Sequence, residues 1–293
     1  MLLNTYNPGK FAFSKHSHDL KTLDEISWGI LGVPFDSTSS YHTGSRLSPT
    51  LIRESSFSFE KYNFAFEKEL TIPFFDLGNI EVVHGNVRKT LEIIESSVSE
   101  LLSLNLKPIL LGGEHSITYP AIKGLSNEFN INELTIIDFD AHMDMINTYQ
   151  GEKYSHGTVM KRVHDLNPEK ILQLGVRSSS KEEYEFGKNN KNIKIFSSSD
   201  FKDLNIIKEE LLAINSSVYL SIDCDVFDPA YMPSVGNPIP NGINLSDFGE
   251  LLKIIAKKDI IGFDIVELSS KTLGDPSAVN AAKIVYDFLT LIK

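Results

Sequence analysis

Short runs of apolar and β-branched residues alternate along this chain with longer stretches whose apolar residues recur every three or four positions. Runs of the first kind predict strands, and stretches of the second kind predict helices with one buried face. The predicted strands cover residues 28–33, 72–76, 107–111, 134–144, 171–176, 192–196, 218–225 and 260–266. The predicted helices cover residues 51–56, 87–104, 117–125, 159–163, 201–214, 245–256 and 277–292.

This alternation of strands and helices predicts an α/β architecture. Short apolar strands separated by helices form a mainly parallel sheet that helices cover on both faces. The length of 293 residues allows one large domain or two ordinary ones. No low-complexity linker, charge block or internal repeat marks a boundary, so we expect a single domain over residues 1–293, with residues 1–25 as an N-terminal extension.

Two of the predicted strands end in potential metal ligands at every second position. Asp140, His142 and Asp144 end one of these strands, and Asp223 and Asp225 end the other. In an extended chain, alternate side chains face the same way, so each set should converge on one small volume. Crowded carboxylates repel one another and lose hydration, which is costly unless cations compensate. Two divalent cations would compensate and would also support hydrolytic chemistry.

The ends of parallel strands give these residues a common location. In open parallel sheets, ligands bind beyond the carboxyl ends of the strands. Seven side chains suited to metal or proton chemistry lie at or just past predicted strand ends: His115, Asp140, His142, Asp144, Asp223, Asp225 and Glu267. For one such motif alone, solvated acids at a turn would be an equally good interpretation. Two motifs in one chain favour the metal site.

The amino-acid composition and the net charge limit the kinds of binding partner that this protein can have. A hydrophobic content of 41% and a charged content of 23% are typical of a soluble globular protein, and no apolar run is long enough for a membrane helix. The net charge of −11 argues against nucleic-acid and anionic-membrane surfaces and is compatible with a small cationic substrate. The single cysteine, Cys224, excludes an internal disulfide, and its apolar strand setting predicts a core residue. We expect a cytoplasmic protein.

Five motifs together resemble the ureohydrolases, the family of arginase, agmatinase and their relatives. The motifs are Gly112-Gly113-Glu114-His115-Ser116, Asp140-Ala141-His142-Met143-Asp144, Ser155-His156-Gly157, Ser221-Ile222-Asp223-Cys224-Asp225 and Gly262-Phe263-Asp264-Ile265-Val266-Glu267. The resemblance implies an arginase-like three-layer α/β/α fold and two Mn²⁺ ions per subunit. It also implies a homo-oligomer, a trimer or a hexamer.

The resemblance also implies a ligand set for each ion. One ion would be held by His115, Asp140, Asp144 and Asp223. The other would be held by Asp140, His142, Asp223 and Asp225. Independently, a donor set dominated by oxygen suits manganese better than zinc, although ligand type alone leaves zinc and iron open.

The resemblance further implies a mechanism. Hydroxide formed between the two ions attacks the guanidinium carbon, while Asp144 orients it. Glu267 pairs with the guanidinium through two hydrogen bonds. His156 delivers a proton to the leaving amine, so that urea and a primary amine result. The alternatives are a surface role for His156 and a structural ion pair of Glu267 with a lysine such as Lys271. His115 alone could also cap the following helix.

The substrate is predicted from two loops. The segment 145–154 is short and lacks the Ser- and Asn-rich pattern of arginases, whereas it is similar to that of agmatinases. The resemblance therefore favours agmatine, with putrescine and urea as products, and arginine, guanidinobutyrate and formimidoylglutamate remain alternatives. Asn237 stands where the family more commonly has threonine and is a candidate substrate residue. The rival functions are a zinc-dependent deacetylase and a catalytically silent assembly subunit.

Overall fold

The computed structural model describes residues 4–7, 9–15 and 27–292. The strands are β1 (Thr5–Tyr6), β2 (Ser27–Gly32), β3 (Tyr62–Asn63), β4 (Lys68–Glu69), β5 (Phe74–Ile80), β6 (Leu106–Leu111), β7 (Leu134–Phe139), β8 (Lys170–Val176), β9 (Ile193–Ser197), β10 (Ser217–Asp223) and β11 (Ile260–Val266). The helices are α1 (Ser48–Ser56), α2 (Val87–Ser103), α3 (Thr118–Leu125), α4 (Val159–His164), α5 (Lys181–Asn189), α6 (Leu204–Leu212), α7 (Leu245–Ile255) and α8 (Pro276–Leu291).

Nine of the strands in the described residues form one sheet, in the order β1-β5-β2-β6-β11-β10-β7-β8-β9. Every neighbouring pair is parallel except β1 and β5, which are antiparallel. Strands β6, β11, β10 and β7 are therefore consecutive at the centre of the sheet, and their carboxyl ends share one edge. The small hairpin of β3 and β4 lies outside this sheet.

Helices cover both faces of the sheet because successive strand residues point to opposite sides. Ile30 and Ile137 contribute to an apolar cluster with α1, α6, α7 and α8. Their chain neighbours Leu31 and Ile136 contribute to a second cluster, with α2, α3 and α4, against which Phe186 of α5 also packs. The predicted three-layer α/β/α fold with a mainly parallel sheet is confirmed. None of the described helices is long and apolar enough to cross a membrane.

The predicted elements are present with shifted boundaries, and four described elements were not predicted, namely the two-residue strands β1, β3 and β4 and the helix α5. The strand predicted over 72–76 is β5, which extends to Ile80, and the helix predicted over 201–214 is the shorter α6 behind a 3-10 turn. Helix α5 was not predicted. Its signal is a capping box, in which the Ser180 and Glu183 side chains each accept a backbone N–H at the first turn. This signal is local. Helix α5 has too few apolar residues to show the apolar periodicity that predicts a helix.

The two strands with alternating acids are shorter than predicted. Strand β7 ends at Phe139, and Asp144 has a left-handed backbone with φ of 50°. Strand β10 ends at Asp223, and Cys224–Val226 forms a 3-10 turn. The carboxylates themselves favour these turns, because Asp140 accepts the N–H of His142 at 2.6 Å and Asp223 accepts that of Asp225 at 2.8 Å. The prediction that extended strands continue to Asp144 and Asp225 is therefore wrong.

The described N-terminal residues lie on the sheet. Thr5 and Tyr6 pair with the end of β5, and the backbone N–H of Phe11 donates to Asp76 at 2.6 Å. Much of the predicted extension over 1–25, namely residues 1–3, 8 and 16–25, lies outside the described residues. Buried Cys224 belongs to the apolar cluster on the α7 face, as its apolar strand setting indicated.

A buried ion pair anchors α1 to the sheet. Arg53 is 1% exposed and donates to both carboxylate oxygens of Asp76, at 2.7 and 2.9 Å. It also donates to the Asn79 side chain at 2.7 Å and to the Gly78 carbonyl at 2.9 Å. These contacts fix α1 directly behind the loop that crosses the carboxyl edge of the sheet.

We expect Arg53→Met to lower the free energy of unfolding by about 3–5 kcal/mol, because it leaves Asp76 buried without its cation. Urea-induced unfolding measures the change. Lys61→Met is the matched control, since Lys61 and Glu69 form an ion pair in which both side chains are 55% exposed. That substitution should cost less than about 1 kcal/mol. Equal stability of the two variants would remove the buried pair as the anchor of α1.

Candidate metal centre and active site

His115 enters the site through a glycine turn after β6. Gly112 and Gly113 have φ of 71° and 85°, in the left-handed region that side chains disfavour. A Cβ atom on Gly112 would lie 2.5 Å from Ser48, and one on Gly113 would lie 2.6 Å from the Val33 carbonyl. Only glycines therefore allow the chain to turn this closely, and the turn places His115 over the carboxyl edge of the sheet.

Three carboxylates converge on His115. Its Nδ1 atom lies 3.1 Å from Asp140, 3.3 Å from Asp144 and 3.4 Å from Asp223. The distances are those of hydrogen bonds, yet Nδ1 of His115 and Oδ2 of Asp140 are buried atoms without a hydrogen bond of correct direction. Donors that point at a common centre rather than at one another suit a cation. The residues therefore fit a divalent metal.

A second cluster lies beside the first. His142 Nδ1 lies 3.0 Å from Asp225 and 3.6 Å from Oδ1 of Asp140. The two oxygens of Asp140 thus face different histidines, so that this carboxylate belongs to both clusters. Within the described residues, there are two groups in which all the ligand atoms lie within 4.8 Å of one another. One group is His115, Asp140 and Asp223, and the other is Asp140, His142 and Asp225. The sharing of Asp223 by both ions stays a prediction.

The acids and histidines perturb one another strongly. Burial opposes charge on His142, but Asp225 and Asp140 outweigh it and raise its pKa to about 12. Burial, together with Asp140, raises the pKa of Asp144 to about 7. Burial would also raise the pKa of Asp140, but His115 and His142 hold it well below its usual range. Protons on the histidines thus compensate the carboxylates, and a metal ion would have to displace them.

A hydrogen-bonded chain behind His115 orients its ring. His115 Nε2 lies 3.1 Å from the Ser221 hydroxyl, which donates to Asp264 at 2.7 Å. Tyr219 and Thr118 donate to the other oxygen of Asp264 at 2.7 and 2.8 Å. With its Nε2 proton directed to Ser221, His115 presents Nδ1 to the carboxylates. Sequence analysis gave these residues no role, although Ser221 and Asp264 are polar interruptions in apolar strands and face each other across β10 and β11.

Glu267 ends β11 in a strained backbone conformation with φ of 61°. Its N–H donates to Gly113, its carbonyl accepts from Gly236, and its carboxylate accepts the N–H of His115 at 2.7 Å. A Cβ atom on Gly236 would lie 2.5 Å from this carboxylate, so a side chain at this position would displace the carboxylate of Glu267. Burial and the nearby Glu114 raise the pKa of Glu267 to about 8. The hydrogen-bond partner of Glu267 is a backbone N–H, and not Lys271.

His156 is buried, so a surface role for it is wrong. Its Nδ1 lies 3.3 Å from the Thr38 hydroxyl and 3.2 Å from that of Ser155, and its Nε2 lies 3.2 Å from that of Ser40. Tyr149 packs edge-on to the ring at 5.2 Å. Burial lowers the pKa of His156 to about 4, so the ring is neutral at neutral pH.

His142, His156 and the acids meet in one cleft of about 440 Å³. Its wall includes His142, Asp144, Asp225, His156, Glu267 and Asn237. A larger cavity of about 660 Å³ lies at the amino end of the sheet, against Trp28 and Lys107. Apolar residues and lysines make up most of its wall, so the chemistry of the lining identifies the smaller, acidic cleft as the candidate active site.

Two further residues hold the cleft wall and were missed by sequence analysis. The Arg177 guanidinium donates to the carbonyls of Asp225 at 2.6 Å, Val226 at 3.0 Å and Ile239 at 2.7 Å, tying the turn after β10 to the following loop. Glu183 accepts the N–H of Met145 at 3.0 Å. The only sequence signal for Arg177 is its position at the end of β8.

Comparison with known proteins gives the family. The model of the Arginase family matches residues 26–290. The chain is 49% identical over 286 residues to an uncharacterized 32.2 kDa protein of Methanothermus fervidus, covering 97% of this chain and 99% of that one. It is 38% identical over 265 residues to the N(1)-aminopropylagmatine ureohydrolase of Thermococcus kodakarensis, covering 88% of each. It is 33% identical over 290 residues to the agmatinase of Pyrococcus horikoshii, covering 98% and 97%.

A similar solved structure supports the same family. The agmatine ureohydrolase of Thermoplasma volcanium superposes with a TM-score of 0.85 at 33% identity, covering 97% of this chain and 94% of that one. The chain belongs to the arginase family, and the resemblance to its ureohydrolases, agmatinase in particular, is confirmed. The relatives that are named for an activity are ureohydrolases and agmatinases, so the chain is a hydrolase of this family and not a silent assembly subunit or a deacetylase.

The perturbed pKa values predict that metal binding releases protons. Asp144 with a pKa of about 7 and His142 with a pKa of about 12 must both lose a proton to act as ligands. Raising the pH therefore favours metal binding. The number of protons released on binding should fall by about one between pH 6 and pH 8, because Asp144 is then already ionised before the metal binds. Calorimetric titration of Mn²⁺ in buffers of different ionisation enthalpy measures the count. His84→Ala, outside the cleft, should not alter it; a count that is constant with pH would contradict the assignment of Asp144.

Proposed function

We propose that this protein hydrolyses the guanidinium group of a small cationic amine to urea and a primary amine, with agmatine as substrate and putrescine as product. The observation that carries the proposal is the arrangement of the cleft. Two acid and histidine clusters share Asp140 on one wall, and the buried carboxylate of Glu267 lies on the same cleft. A cationic, planar guanidinium matches such a site in charge and in hydrogen-bonding geometry.

We propose that two Mn²⁺ ions bind here, with His115, Asp140, Asp144 and Asp223 as ligands of one and Asp140, His142, Asp223 and Asp225 as ligands of the other. The converging atoms around His115 and the shared carboxylate of Asp140 support this assignment. The donors are mostly carboxylate oxygens, which manganese accepts readily. When bound, such a metal pair lowers the pKa of a water molecule and so supplies hydroxide near neutral pH.

Glu267 binds and orients the substrate. Its backbone is fixed by Gly113 and Gly236, and one carboxylate oxygen accepts the N–H of His115, so the side chain is held in place before substrate arrives. A guanidinium would donate two parallel hydrogen bonds to this carboxylate and would favour its charged form. Fixing the guanidinium plane in this way converts binding energy into correct orientation for attack. Asp144 lines the same cleft and orients the attacking group.

His156 transfers the proton that the leaving amine requires. Because the pKa of His156 is about 4, the ring is neutral at neutral pH and does not carry a proton of its own to give. It acts as a relay, which accepts a proton released as the tetrahedral intermediate forms and passes it to the amine nitrogen as the C–N bond breaks. Its contacts with Thr38, Ser40 and Ser155 support this role, since they hold both ring nitrogens in fixed surroundings.

A second substrate of the same class is N(1)-aminopropylagmatine, because the relative bearing that name is 38% identical to this chain, against 33% for the agmatinase of Pyrococcus horikoshii. Both compounds join a guanidinium to an aliphatic chain with an additional cation. The net charge of −11 favours either over a carboxylate-bearing substrate such as arginine. Asn237 lies on the cleft wall and is the proposed contact for the substrate chain. A homo-oligomeric state and a cytoplasmic location stay predictions.

The proposed substrate class is tested by urea release in the presence of Mn²⁺. We expect kcat/KM to be highest for agmatine or N(1)-aminopropylagmatine and lower by at least about tenfold for arginine and guanidinobutyrate, because a carboxylate on the substrate chain is repelled by the acidic cleft. Formimidoylglutamate has no guanidinium, so its hydrolysis is followed by the release of formamide, and it should be as poor a substrate. Asp223→Asn is the control variant, and it should lose both urea release and bound metal. Preference for a carboxylate-bearing compound would exclude agmatine, and urea release from none would exclude the function.

The role of His156 is tested by His156→Ala. The variant should keep its metal content, because His156 contacts hydroxyl groups rather than the clustered ligands, and its kcat should fall by roughly 10²–10⁴. Metal analysis and steady-state kinetics on the same sample separate the two effects. His164→Ala is a matched control, since this histidine packs against Phe186 away from the cleft. Unchanged turnover in His156→Ala would remove His156 from the mechanism.

A further inference from the structure

A buried carboxylate beside His115 fixes the direction of one hydroxyl group. Glu114 is fully buried, and its Oε1 atom accepts the hydroxyl of Thr38 at 2.5 Å and that of Ser116 at 2.6 Å. Its Oε2 atom accepts the backbone N–H of Thr38 at 2.6 Å. Since a carboxylate at this distance is the acceptor, the hydroxyl proton of Thr38 is directed to Glu114 and is not available elsewhere.

The Thr38 oxygen therefore acts only as an acceptor toward His156. It accepts the backbone N–H of His156 at 3.0 Å and lies 3.3 Å from Nδ1 of the same residue. If Nδ1 carried a lone pair, two lone pairs would face each other in a partly buried contact. A proton on Nδ1 removes this repulsion. The Ser155 hydroxyl, at 3.2 Å from Nδ1, can donate or accept and so does not select a tautomer.

The other ring nitrogen faces the cleft. His156 Nε2 lies 3.2 Å from the hydroxyl of Ser40, and Ser40 and His156 both line the cavity. With the proton on Nδ1, Nε2 carries the lone pair on the side where the substrate binds. We propose that Thr38, held by Glu114, is a positioning residue that fixes His156 in the Nδ1-protonated tautomer and makes Nε2 the atom that exchanges a proton with the substrate. This inference rests on the proposed function.

The proton balance follows from the tautomer. Nε2 accepts one proton, and the ring becomes a cation. The proton on Nδ1 stays there, directed to the Thr38 oxygen. As the C–N bond breaks, Nε2 returns that proton to the amine nitrogen, and the ring recovers its starting tautomer. In the opposite tautomer, the lone pair on Nδ1 would face Thr38 and Ser155, away from the amine, and the relay would fail.

The loop that carries Thr38 is rigidly attached, so the contact is part of the folded protein. Its start is held by the Glu114 N–H, which donates to the Phe35 carbonyl at 2.7 Å. Its end is held by Asp36, which accepts the Gly44 N–H at 3.0 Å, and by the His42 N–H, which donates to Gly236 at 3.2 Å. Thr38 thus keeps its distance to His156 without help from the substrate.

The test compares Thr38→Val, which retains shape but loses the acceptor, with Thr38→Ser, which retains it. We expect kcat for urea release to fall roughly tenfold to a hundredfold in Thr38→Val, with KM little changed, and to be largely restored in Thr38→Ser. The tautomer is read directly by nitrogen NMR of the full-length protein labelled with ¹⁵N-histidine and loaded with diamagnetic Mg²⁺. The His156→Ala spectrum identifies the signals of His156. Wild type and Thr38→Ser should show a protonated Nδ1, and Thr38→Val should show a population with protonated Nε2.

Ser39→Ala is the matched control in the same loop, because the buried Ser39 hydroxyl has no hydrogen-bond partner. It should change neither kcat nor the tautomer. Protonated Nε2 in wild type, or an unaltered tautomer in Thr38→Val, would overturn the inference. Equal losses of kcat in Thr38→Val and Thr38→Ser would also overturn it, since they would indicate general damage to the loop. The spectrum does not require turnover, so a wild-type protein that releases no urea would contradict the proposed function and leave the tautomer to be decided by NMR.

Discussion

The repulsion among buried carboxylates at one edge of the sheet is the constraint on which the rest of the structure depends. Asp140, Asp144, Asp223 and Asp225 are all at most 9% exposed, and each is crowded by the others. Such a group is tolerable only with positive charge among its members. In the protein alone, the neighbouring carboxylates raise the pKa values of His115 and His142, and a proton on His142 supplies part of this charge. Divalent metals would supply it more fully, and the raised pKa values of Asp144 and His142 express how strongly the site favours cations.

The sheet makes this crowding possible because it is covered on both faces by helices. Parallel strands end together, and the four central strands, β6, β11, β10 and β7, direct their following loops to the same edge. The glycines after β6 and the left-handed residues Asp144 and Glu267 then turn side chains back over the strand ends. Backbone strain of this kind persists only where the surrounding structure determines it. Here it is supported by Gly236 and by the hydrogen bonds of Glu267 to neighbouring loops.

The structure also shows a layer of support behind the residues that would contact metal and substrate. Asp264 and Ser221 orient His115, and Arg177 holds the turn that carries Asp225. Thr38 contacts His156 and is itself held by Glu114. The supporting groups are hydroxyls, the carboxylates of Asp264 and Glu114, and the Arg177 guanidinium, and each acts by fixing the direction of a hydrogen bond.

The sequence by itself determined the elements and the identity of the reactive residues. Apolar runs of strand length, helical periodicity and acidic strand ends are local patterns, so the α/β class was predictable, and so were the candidate site residues from His115 to Asp225 that the structure brings together. Tertiary structure alone decided the geometry, because Asp140, Asp144 and Asp225 lie past the strand ends and not in the extended strands that were predicted, whereas Asp223 is the last residue of β10. Hydrogen bonds from backbone N–H groups to Asp140 and Asp223 favour the turns that follow. The roles of Thr38, Glu114, Arg177 and Asp264 were also decided there. Each acts through contacts between segments far apart in the chain, and such contacts leave no periodic pattern in the sequence.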